Sequence, residues 1–460
     1  MDLRVAVAGL GPMGRGIARV FAVAGAAVTV VDVDAATTAR GHAQLREEED
    51  VPVSVAASVA AAVRDADLFI EAIVERFEAK RSLLAEVRAT VRAAGNDKLV
   101  VATNTSSLSI GELGVAYGDP SRVVGMHFFN PPAKMRLVEV IRGARTDPEV
   151  VALAREWVAA LGKTAVLCAD SPNFIVNRVC RPLYYESQLL VTQGMAPPVV
   201  DAAVRGALGH RMGPLELLDF TGLHTHLGSS ETALREFGDP RYRPIPLTRR
   251  LVRAGTTGRA AGQGYYDYAA GKPRDAQASV LRTSQQSEVD VRVYRAVGCT
   301  PRDVAAVTGL ARQGRVVVDS SDGGWVEHLP AGVGWIRLHG GFAEVVADEV
   351  AGIEPAHDAV DALGATSVPV LALPGLVVDR LAHTMANEAL TLVEEATATA
   401  EDVDLALRLG MNHPIGPLEY LTRTGPAEVL AGLRGMATHF GDPRYRPAPL
   451  LVRQAAGSRR

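Results

Sequence analysis

Residues 3–14 read Leu-Arg-Val-Ala-Val-Ala-Gly-Leu-Gly-Pro-Met-Gly, and the prediction of the fold starts from them. Its first six residues form a short apolar run that is typical of a buried strand, and residues 13–24 have the apolar spacing of a helix. A second apolar run follows at residues 27–33. A strand, a glycine-rich turn, a helix and a second strand in this order predict a βαβ unit.

The turn contains three glycines, Gly9, Gly11 and Gly14, in the spacing of a dinucleotide-binding fingerprint. Gly9 permits the tight turn, Gly11 lets the backbone approach a pyrophosphate, and Gly14 lets helix and strand pack closely. Asp32 ends the second strand, where a carboxylate can accept hydrogen bonds from both ribose hydroxyls and repel a 2′-phosphate. We therefore predict NAD rather than NADP as the cofactor. A glycine-rich turn without a ligand is the alternative, which the position of Asp32 disfavours.

Further apolar runs alternate with segments of helical spacing; the runs begin at Asp67, Leu99 and Arg122, and the helical segments span residues 77–94 and 148–161. This alternation predicts a Rossmann-type α/β domain over residues 1–171, with a mostly parallel, doubly wound sheet. Beyond residue 171 the apolar spacing becomes helical, with Gly-Pro turns between segments. An all-α domain over residues 172–282 is therefore expected.

An internal repeat with an offset of 203 residues is the clearest feature of the second half. Residues 213–222 realign with 416–425, and residues 237–247 realign with 440–450 with a single difference. We therefore predict that the helical domain is present twice, with its second copy at residues 373–460. Residues 283–372 resemble part of the α/β domain but contain no glycine-rich turn, so this degenerate segment is expected to bind no nucleotide.

Composition excludes several classes of protein. The formal net charge is −4, and no block of five like charges occurs, which argues against a nucleic-acid partner. No run of 18 apolar residues and no N-terminal signal pattern occurs, so we expect a soluble, cytoplasmic protein with no membrane partner. Cys168, Cys180 and Cys299 are far apart and lack metal-binding spacing. Reduced thiols and no metal are expected.

Three motifs in order suggest the chemistry: Asn104-Thr-Ser-Ser-Leu, then His127-Phe-Phe-Asn-Pro-Pro-Ala-Lys-Met-Arg-Leu-Val-Glu139-Val-Ile, then Phe174-Ile-Val-Asn177-Arg. Together with the glycine turn they resemble the L-3-hydroxyacyl-CoA dehydrogenases. The resemblance covers residues 1–282 and recurs in degenerate form to residue 460, as in the longer, duplicated bacterial members called 3-hydroxybutyryl-CoA dehydrogenases. It implies NAD-dependent oxidation of an L-3-hydroxyacyl thioester to the 3-ketoacyl thioester, or the reverse reduction.

The resemblance implies that His127 is the general base for the 3-hydroxyl proton and that Glu139 orients and polarises its imidazole. Such a pair suits the reaction, because a carboxylate on the other ring nitrogen fixes the tautomer and stabilises the cation. Ser106 and Asn177 match the family's residues that hold the substrate oxygen, and both can donate hydrogen bonds to an oxyanion. Without the resemblance, His127 could be a core histidine and Ser106 and Asn177 could be caps.

The resemblance also implies cofactor contacts for Glu75 and Lys80, which match positions near the nicotinamide ribose, and for Asn130. By residue type alone, Glu75 and Lys80 at the start of a helix could be an ordinary solvated pair. Only 34 residues separate Asp32 from Asp67, too few for the helical arm that contacts coenzyme A in the family. An acyl-carrier-protein-bound or free hydroxy acid is therefore an alternative substrate.

A non-catalytic NAD-binding or structural relative is the second alternative, and the intact set of polar residues in the three motifs argues against it. In the second copy Asp379 stands where Asn177 stands in the first. Because an ionised carboxylate would repel a developing oxyanion, the second copy is expected to be structural. Short members of the family pair their helical domains around a two-fold axis, so we expect the two copies here to pack in cis as a pseudo-dimer.

Overall fold

The computed structural model describes residues 1–49, 52–282, 292–295, 316–319, 334–346 and 350–457. These residues form two compact units. The first combines Met1–Arg178 with Leu392–Met411, and the second combines Val179–Thr391 with Asn412–Arg460. In the part of the chain that is described, no helix has both the length and the apolar character needed to cross a bilayer.

The first unit is built on an eight-stranded sheet. Its strands are β1 (Arg4–Ala8), β2 (Ala27–Val31), β3 (Val53–Val55), β4 (Leu68–Glu71), β5 (Val100–Thr103), β6 (Val123–Phe128), β7 (Leu137–Arg142) and β8 (Thr164–Ala169). They are ordered β3-β2-β1-β4-β5-β6-β7-β8, and only the β6/β7 pair is antiparallel. The mostly parallel sheet is confirmed, and β7 and β8 extend it beyond the predicted strands.

Helices flank these strands in sequence: α1 (Pro12–Val23), α2 (Ala35–Glu49), α3 (Val59–Val63), α4 (Phe77–Ala94), α5 (Ile110–Tyr117), α6 (Pro148–Ala160) and α7 (Val176–Val179). The helix Ala400–Met411 also belongs to this unit. α1 starts with Pro12, whose fixed φ suits the first helical position. Its apolar face buries Ile17 and Phe21 against β1 and β2, where Val7 and Val30 are fully buried. This packing holds α1 against the sheet and so sets the position of the glycine turn between β1 and α1.

The second unit begins with helices α8 (Arg181–Thr192), α9 (Pro197–Leu208), α10 (Pro214–Thr221), α11 (Leu223–Phe237), α12 (Pro246–Arg253) and α13 (Pro273–Ser279). Its later helices are Val350–Ala362, most of Val378–Glu394, Pro417–Thr424, Pro426–Phe440 and Pro449–Gly457. The prediction of a helical part after the α/β domain is confirmed. α10 and Pro417–Thr424 each have 8 residues, and α11 and Pro426–Phe440 each have 15.

A five-stranded sheet also lies in the second unit. Its strands are β9 (Arg292–Arg295), β10 (Val316–Asp319), β11 (Gly334–His339), β12 (Phe342–Val346) and β13 (Thr366–Pro369), ordered β13-β12-β11-β10-β9. β11 and β12 pair antiparallel, as β6 and β7 do. Much of the predicted degenerate segment 283–372, including Cys299, lies outside the described residues. Cys168 and Cys180 are buried, and no metal-binding cluster occurs among the residues described.

Candidate active site

The glycine turn after β1 leaves open space at the start of α1. Gly9 has φ +93°, and a Cβ there would lie 2.6 Å from the Ala72 carbonyl oxygen. At Gly14 a side chain would collide with the Gly9 carbonyl, so helix and strand can approach only because this residue is glycine. Gly11, in contrast, is exposed and has no atom within 4 Å of where its Cβ would be. The three predicted glycines therefore lie together, and the free N–H groups of α1 fit a pyrophosphate.

Asp32 lies at the end of β2, beside this turn. Its Oδ2 accepts a hydrogen bond from the Leu10 N–H at 2.6 Å, and its Oδ1 accepts one from the Val33 N–H at 2.6 Å. The carboxylate is thus held in place and half-buried, and each oxygen keeps a lone pair for a ribose hydroxyl. These two acceptor oxygens fit the hydroxyl groups of the adenosine ribose of NAD.

His127 and Glu139 face each other across the antiparallel β6/β7 pair. His127 Nδ1 lies 2.6 Å from Glu139 Oε2, with the Glu139 side chain fully buried. The imidazole packs against the rings of Phe129 and Phe174, at centroid distances of 4.6 and 6.0 Å. This arrangement orients the ring and leaves Nε2 as the nitrogen that is not bonded to Glu139.

The second oxygen of Glu139 binds the start of α7. Glu139 Oε1 accepts hydrogen bonds from the N–H groups of Ile175 at 3.2 Å and Val176 at 2.9 Å. These free N–H groups at a helix N-terminus stabilise a carboxylate. Asn173, two residues before Ile175, has φ 65°, a left-handed conformation to which Asn and Gly are suited. Asn177, on α7, is therefore joined through Glu139 to His127.

Ser106 lies in the loop that follows β5. One oxygen of Glu75 accepts hydrogen bonds from the Thr105 hydroxyl at 2.6 Å and from the Ser106 N–H at 2.8 Å. Asn104 Oδ1 accepts a hydrogen bond from the Phe128 N–H at 2.8 Å, which ties the ends of β5 and β6 together. The loop is therefore held by Glu75 at Ser106 and by the hydrogen bond between Asn104 and Phe128 at its start. Asn130 lies in the exposed segment after β6.

Lys80 is buried, with 1% of its side chain exposed, and is not part of a solvated pair. Its Nζ donates to both oxygens of Glu71 at 2.7 Å and lies 3.2 Å from Glu75. Although burial acts to raise it, the pKa of Glu75 is lowered, because Lys80 and the donors of Thr105 and Ser106 stabilise the carboxylate. The interpretation of Glu75 and Lys80 as an ordinary surface pair is therefore wrong.

Sequence reasoning missed Glu71, which ends β4 and is completely buried. Its carboxylate binds Lys80 and accepts a hydrogen bond from the Thr103 hydroxyl. The sequence contained one signal for Glu71, namely an acidic residue at the end of an apolar strand. Such a residue lies at the edge where α/β sheets bind ligands. Glu71, Lys80 and Glu75 form a chain of charges that reaches the Ser106 loop.

Comparison with known proteins identifies the family of both parts of the chain. Residues 4–171 match the family described as 3-hydroxyacyl-CoA dehydrogenase, NAD binding domain. Residues 174–268 and 375–459 match the family described as 3-hydroxyacyl-CoA dehydrogenase, C-terminal domain. The two matches together cover well over half of the chain.

Similar proteins include a 3-hydroxyadipyl-CoA dehydrogenase of Escherichia coli K12, 33% identical over 98% of this chain and 97% of that protein. A 3-hydroxybutyryl-CoA dehydrogenase of Bradyrhizobium diazoefficiens is 38% identical over 59% of this chain and 97% of its own length. The crystal structure of a 3-hydroxybutyryl-CoA dehydrogenase from Escherichia coli K12 superposes with a TM-score of 0.82 at 31% identity, covering 99% of both chains. The chain belongs to the 3-hydroxyacyl-CoA dehydrogenase family and is an NAD-dependent dehydrogenase of 3-hydroxyacyl-CoA.

Proposed function

We propose that His127 and Glu139 perform the proton transfer of this reaction. The observation that carries the proposal is the buried contact of 2.6 Å between His127 Nδ1 and Glu139 Oε2. Since Glu139 holds Nδ1, the Nε2 atom is free to take the proton of the substrate 3-hydroxyl group. The Glu139 carboxylate then stabilises the imidazolium that forms. NAD, when bound, accepts the hydride that leaves C3.

Ser106 and Asn177 are proposed to hold the substrate oxygen. A hydroxyl group and an amide group can donate hydrogen bonds to an oxygen that gains negative charge, and neither takes up that charge. Two fixed attachments support these roles. Glu75 holds the Ser106 loop, and Glu139 holds the start of the helix that carries Asn177. Pre-organised donors of this kind need little rearrangement during the reaction.

NAD is proposed to lie at the turn of Gly9, Gly11 and Gly14, with Asp32 at its adenosine ribose. The open space at Gly11 and the fixed carboxylate of Asp32 support this placement. Glu75, Lys80 and Asn130 are predicted to line the nicotinamide side. Because Lys80 is buried between Glu71 and Glu75, we propose that it acts by holding Glu75 in place.

The substrate is proposed to be a short L-3-hydroxyacyl-CoA similar to 3-hydroxybutyryl-CoA. The names of the relatives support short-chain or dicarboxylic acyl groups. The connection between β2 and β4 contains the helix α2, the short strand β3 and the five-residue helix α3. The predicted shortness of this region is the reason to keep an acyl-carrier-protein-bound or free acid as a second candidate.

NAD reduction, followed at 340 nm, tests this proposal with L-3-hydroxybutyryl-CoA, L-3-hydroxyadipyl-CoA, the matching acyl-carrier-protein thioester and free 3-hydroxybutyrate. We expect kcat/KM to be highest for a CoA thioester, and the D-enantiomer serves as the control. A higher kcat/KM for the carrier-protein thioester or the free acid would contradict the CoA assignment. Absence of NAD reduction with every substrate would contradict the whole proposed function.

We also propose that the helical domain is duplicated and that the copies at 172–282 and 373–460 pack in cis as a pseudo-dimer. Reciprocal contacts support this. Tyr242 donates to Glu388 at 2.5 Å, and Tyr445 donates to Glu186 at 2.7 Å. In the repeat Tyr445 corresponds to Tyr242 and Glu388 corresponds to Glu186. An isologous interface has this property, in which each contact occurs twice with the partners exchanged.

Two further contacts follow the same rule. Arg446 contacts Asp239 at 2.5 Å, and the corresponding Arg243 contacts Asp442 at 3.7 Å. The corresponding residues His210 and His413 stack with ring centroids 4.1 Å apart. Only residues near a two-fold axis can meet their own counterparts, so this stacked pair supports a local axis between the copies.

Matched variants test the pseudo-dimer. Tyr242→Phe and Tyr445→Phe each remove one buried hydrogen bond to a carboxylate. Each should lower the free energy of unfolding by about 1–3 kcal/mol, and the two losses should be similar. Urea unfolding of the full chain measures both. A large loss for one variant and none for the other would contradict a symmetric interface.

A further inference from the structure

A segment from the second helical copy belongs to the unit that contains the candidate active site. Leu392–Met411 belongs to the same compact unit as Met1–Arg178, although more than two hundred residues separate the two stretches in sequence. The Thr397 carbonyl accepts a hydrogen bond from the Ala169 N–H at 2.8 Å, at the end of β8. The helix Ala400–Met411 packs against β7 and β8. The segment therefore lies against the strand that carries Glu139.

Gly410 lies where the helix Ala400–Met411 approaches β7 and α7. A Cβ at Gly410 would lie 2.9 Å from Leu137 Cδ2 and 3.1 Å from Val176 Cγ2. Leu137 begins β7, which carries Glu139, and Val176 begins α7, which carries Asn177. The absence of a side chain at Gly410 thus allows this helix to pack closely against both elements of the site.

Glu395 contacts α7 at Arg178. Its Oε2 lies 2.6 Å from Arg178 Nη1, and the Arg178 side chain is completely buried. Arg178 follows Asn177 directly in sequence. A buried guanidinium needs an anionic partner, because the cost of removing its charge from water is otherwise not recovered. α7 is therefore held at its start by Glu139 and at Arg178 by Glu395.

We propose that Glu395 is a positioning residue for catalysis, which acts on Asn177 through Arg178 and keeps α7 in register with the His127–Glu139 pair. The inference rests on the proposed roles of His127, Glu139 and Asn177. It assigns a role in the reaction to the second copy, which lacks the catalytic residues of the first. The single chain would thus need its second copy for the geometry of its active site.

The corresponding contact of the other copy provides a matched control. In the repeat Arg380 corresponds to Arg178, and Gln193 corresponds to Glu395. Arg380 Nη1 donates to Gln193 Oε1 at 2.8 Å. The partner of Nη1 is therefore a neutral amide on the side without the proposed catalytic residues, where Glu186 pairs with Arg380 at Nε instead, and a carboxylate on the side with them.

Steady-state kinetics of NAD reduction by the full chain tests the proposal with Glu395→Gln, Glu395→Ala and the control Gln193→Ala. We expect kcat to fall about 3–10-fold in Glu395→Gln and further in Glu395→Ala, since displacement of a positioned group by a fraction of an ångström has such costs. The dissociation constant for NADH should stay within about twofold. Gln193→Ala should retain the kcat of the wild type.

The split between kcat and KM separates positioning from general destabilisation, and urea unfolding is measured on the same proteins. If Glu395 positions α7, kcat should fall in Glu395→Gln by more than KM for NAD changes, while the variant remains folded at the assay temperature. Glu395→Gln, which keeps an acceptor for Arg178, should retain more of the wild-type kcat than Glu395→Ala. An unchanged kcat in both variants would overturn the proposal. So would equal losses of kcat in Glu395→Ala and Gln193→Ala.

A second pair of variants does not depend on the ion pair. Gly410→Ala places a methyl group against Leu137 and Val176, whereas Gly435→Ala places one where no atom lies within 4 Å. We expect kcat to fall several-fold in Gly410→Ala alone. An unchanged kcat in Gly410→Ala would overturn the packing argument. A wild-type chain without activity on any substrate would instead contradict the proposed function, so the two failures are distinguishable.

Discussion

Two buried glutamates, Glu139 in the first unit and Glu344 in the second, make the same contacts with the backbone. Glu139 Oε1 accepts hydrogen bonds from the first N–H groups around α7, and Glu344 Oε1 accepts them from Val377 at 2.8 Å and Val378 at 3.3 Å. Both residues lie on a strand that pairs antiparallel with its neighbour. The residues directly opposite differ. His127 faces Glu139, and Arg337 faces Glu344.

In the second unit, the residue opposite the buried Glu and the residue on the helix form an ion pair. Arg337 contacts Asp379, the counterpart of Asn177, at 2.6 Å and Glu428 at 2.9 Å. Although burial acts to raise it, the pKa of Asp379 is lowered by Arg337, so this carboxylate is charged at neutral pH. A charged carboxylate cannot support an oxyanion. The two regions therefore share the backbone contacts of the buried Glu, and they differ in the residue opposite it and in the side chain on the helix.

The largest effect is expected for His127→Gln, compared with His339→Gln. His339 Nε2 lies 2.9 Å from Glu344 Oε2, so the second unit retains a His–Glu contact at a different strand position. Removal of the proposed general base should lower kcat about a thousandfold in His127→Gln, while NADH binding stays intact. His339→Gln should leave kcat within about twofold. Comparable losses in both variants would show that the second contact also takes part in the reaction.

Glu139→Gln and Glu344→Gln extend the test to the two buried glutamates. Glu139→Gln keeps an acceptor for α7 but removes the charge that stabilises the imidazolium, so kcat should fall about a hundredfold. Glu344→Gln should alter only the free energy of unfolding. Kinetics and urea unfolding measured on both variants check this. A Glu139→Gln variant that is destabilised yet fully active would contradict the catalytic role.

Asp32→Ala tests the nucleotide site of the first unit. The second region was predicted to have no such site. Loss of the carboxylate at the ribose should weaken NAD binding about tenfold or more and relax the discrimination against NADP. Titration of the protein with NADH and NADPH measures both dissociation constants. A wild-type chain that binds NADPH more tightly than NADH would show that Asp32 is wrongly placed.

The stacked pair His210 and His413 predicts a smaller, pH-dependent effect on stability. Burial lowers the pKa of His210 to about 4, and burial and His210 lower that of His413 well below its usual value. A lowered folded pKa means that the unfolded chain binds more protons, so stability is lost as pH falls from about 6.5 towards 4. At pH 5 the loss from His210 should be about 2 kcal/mol relative to pH 7.

Urea unfolding from pH 7 to pH 4.5 measures this dependence. The double variant His210→Gln with His413→Gln should show a shallower loss of stability, because it removes the groups that must stay neutral in the folded state. His439→Gln, which changes an exposed histidine, is the control and should follow the wild type. Parallel curves for all three proteins would contradict a neutral buried pair.

The parts of the fold that were predictable from sequence are those specified by local patterns. The glycine turn, the helix after it and Asp32 lie within one βαβ unit, where short-range rules determine the geometry. The pairing of His127 with Glu139 was anticipated only through the family resemblance. An antiparallel register such as that of β6 and β7 depends on the turn between the strands, which no local pattern in residues 129–136 specifies.

The contacts that were missed join residues that are distant in sequence. Lys80 was expected to be solvated or to contact the cofactor, and its burial follows from Glu71, which is on a neighbouring element. Arg178 and Glu395 are 217 residues apart, so neither residue alone indicates an ion pair. Such pairs depend on how the helices pack. Composition and periodicity carry no information about that packing.

The number of NADH molecules bound per chain tests the central claim, which is one catalytic site in the first unit and a structural counterpart in the second. Isothermal titration of the full chain with NADH measures this number without any substrate. We predict one NADH per chain in the wild type and in His127→Gln, and a much weaker affinity in Asp32→Ala. Two equivalent NADH molecules per chain would contradict the account.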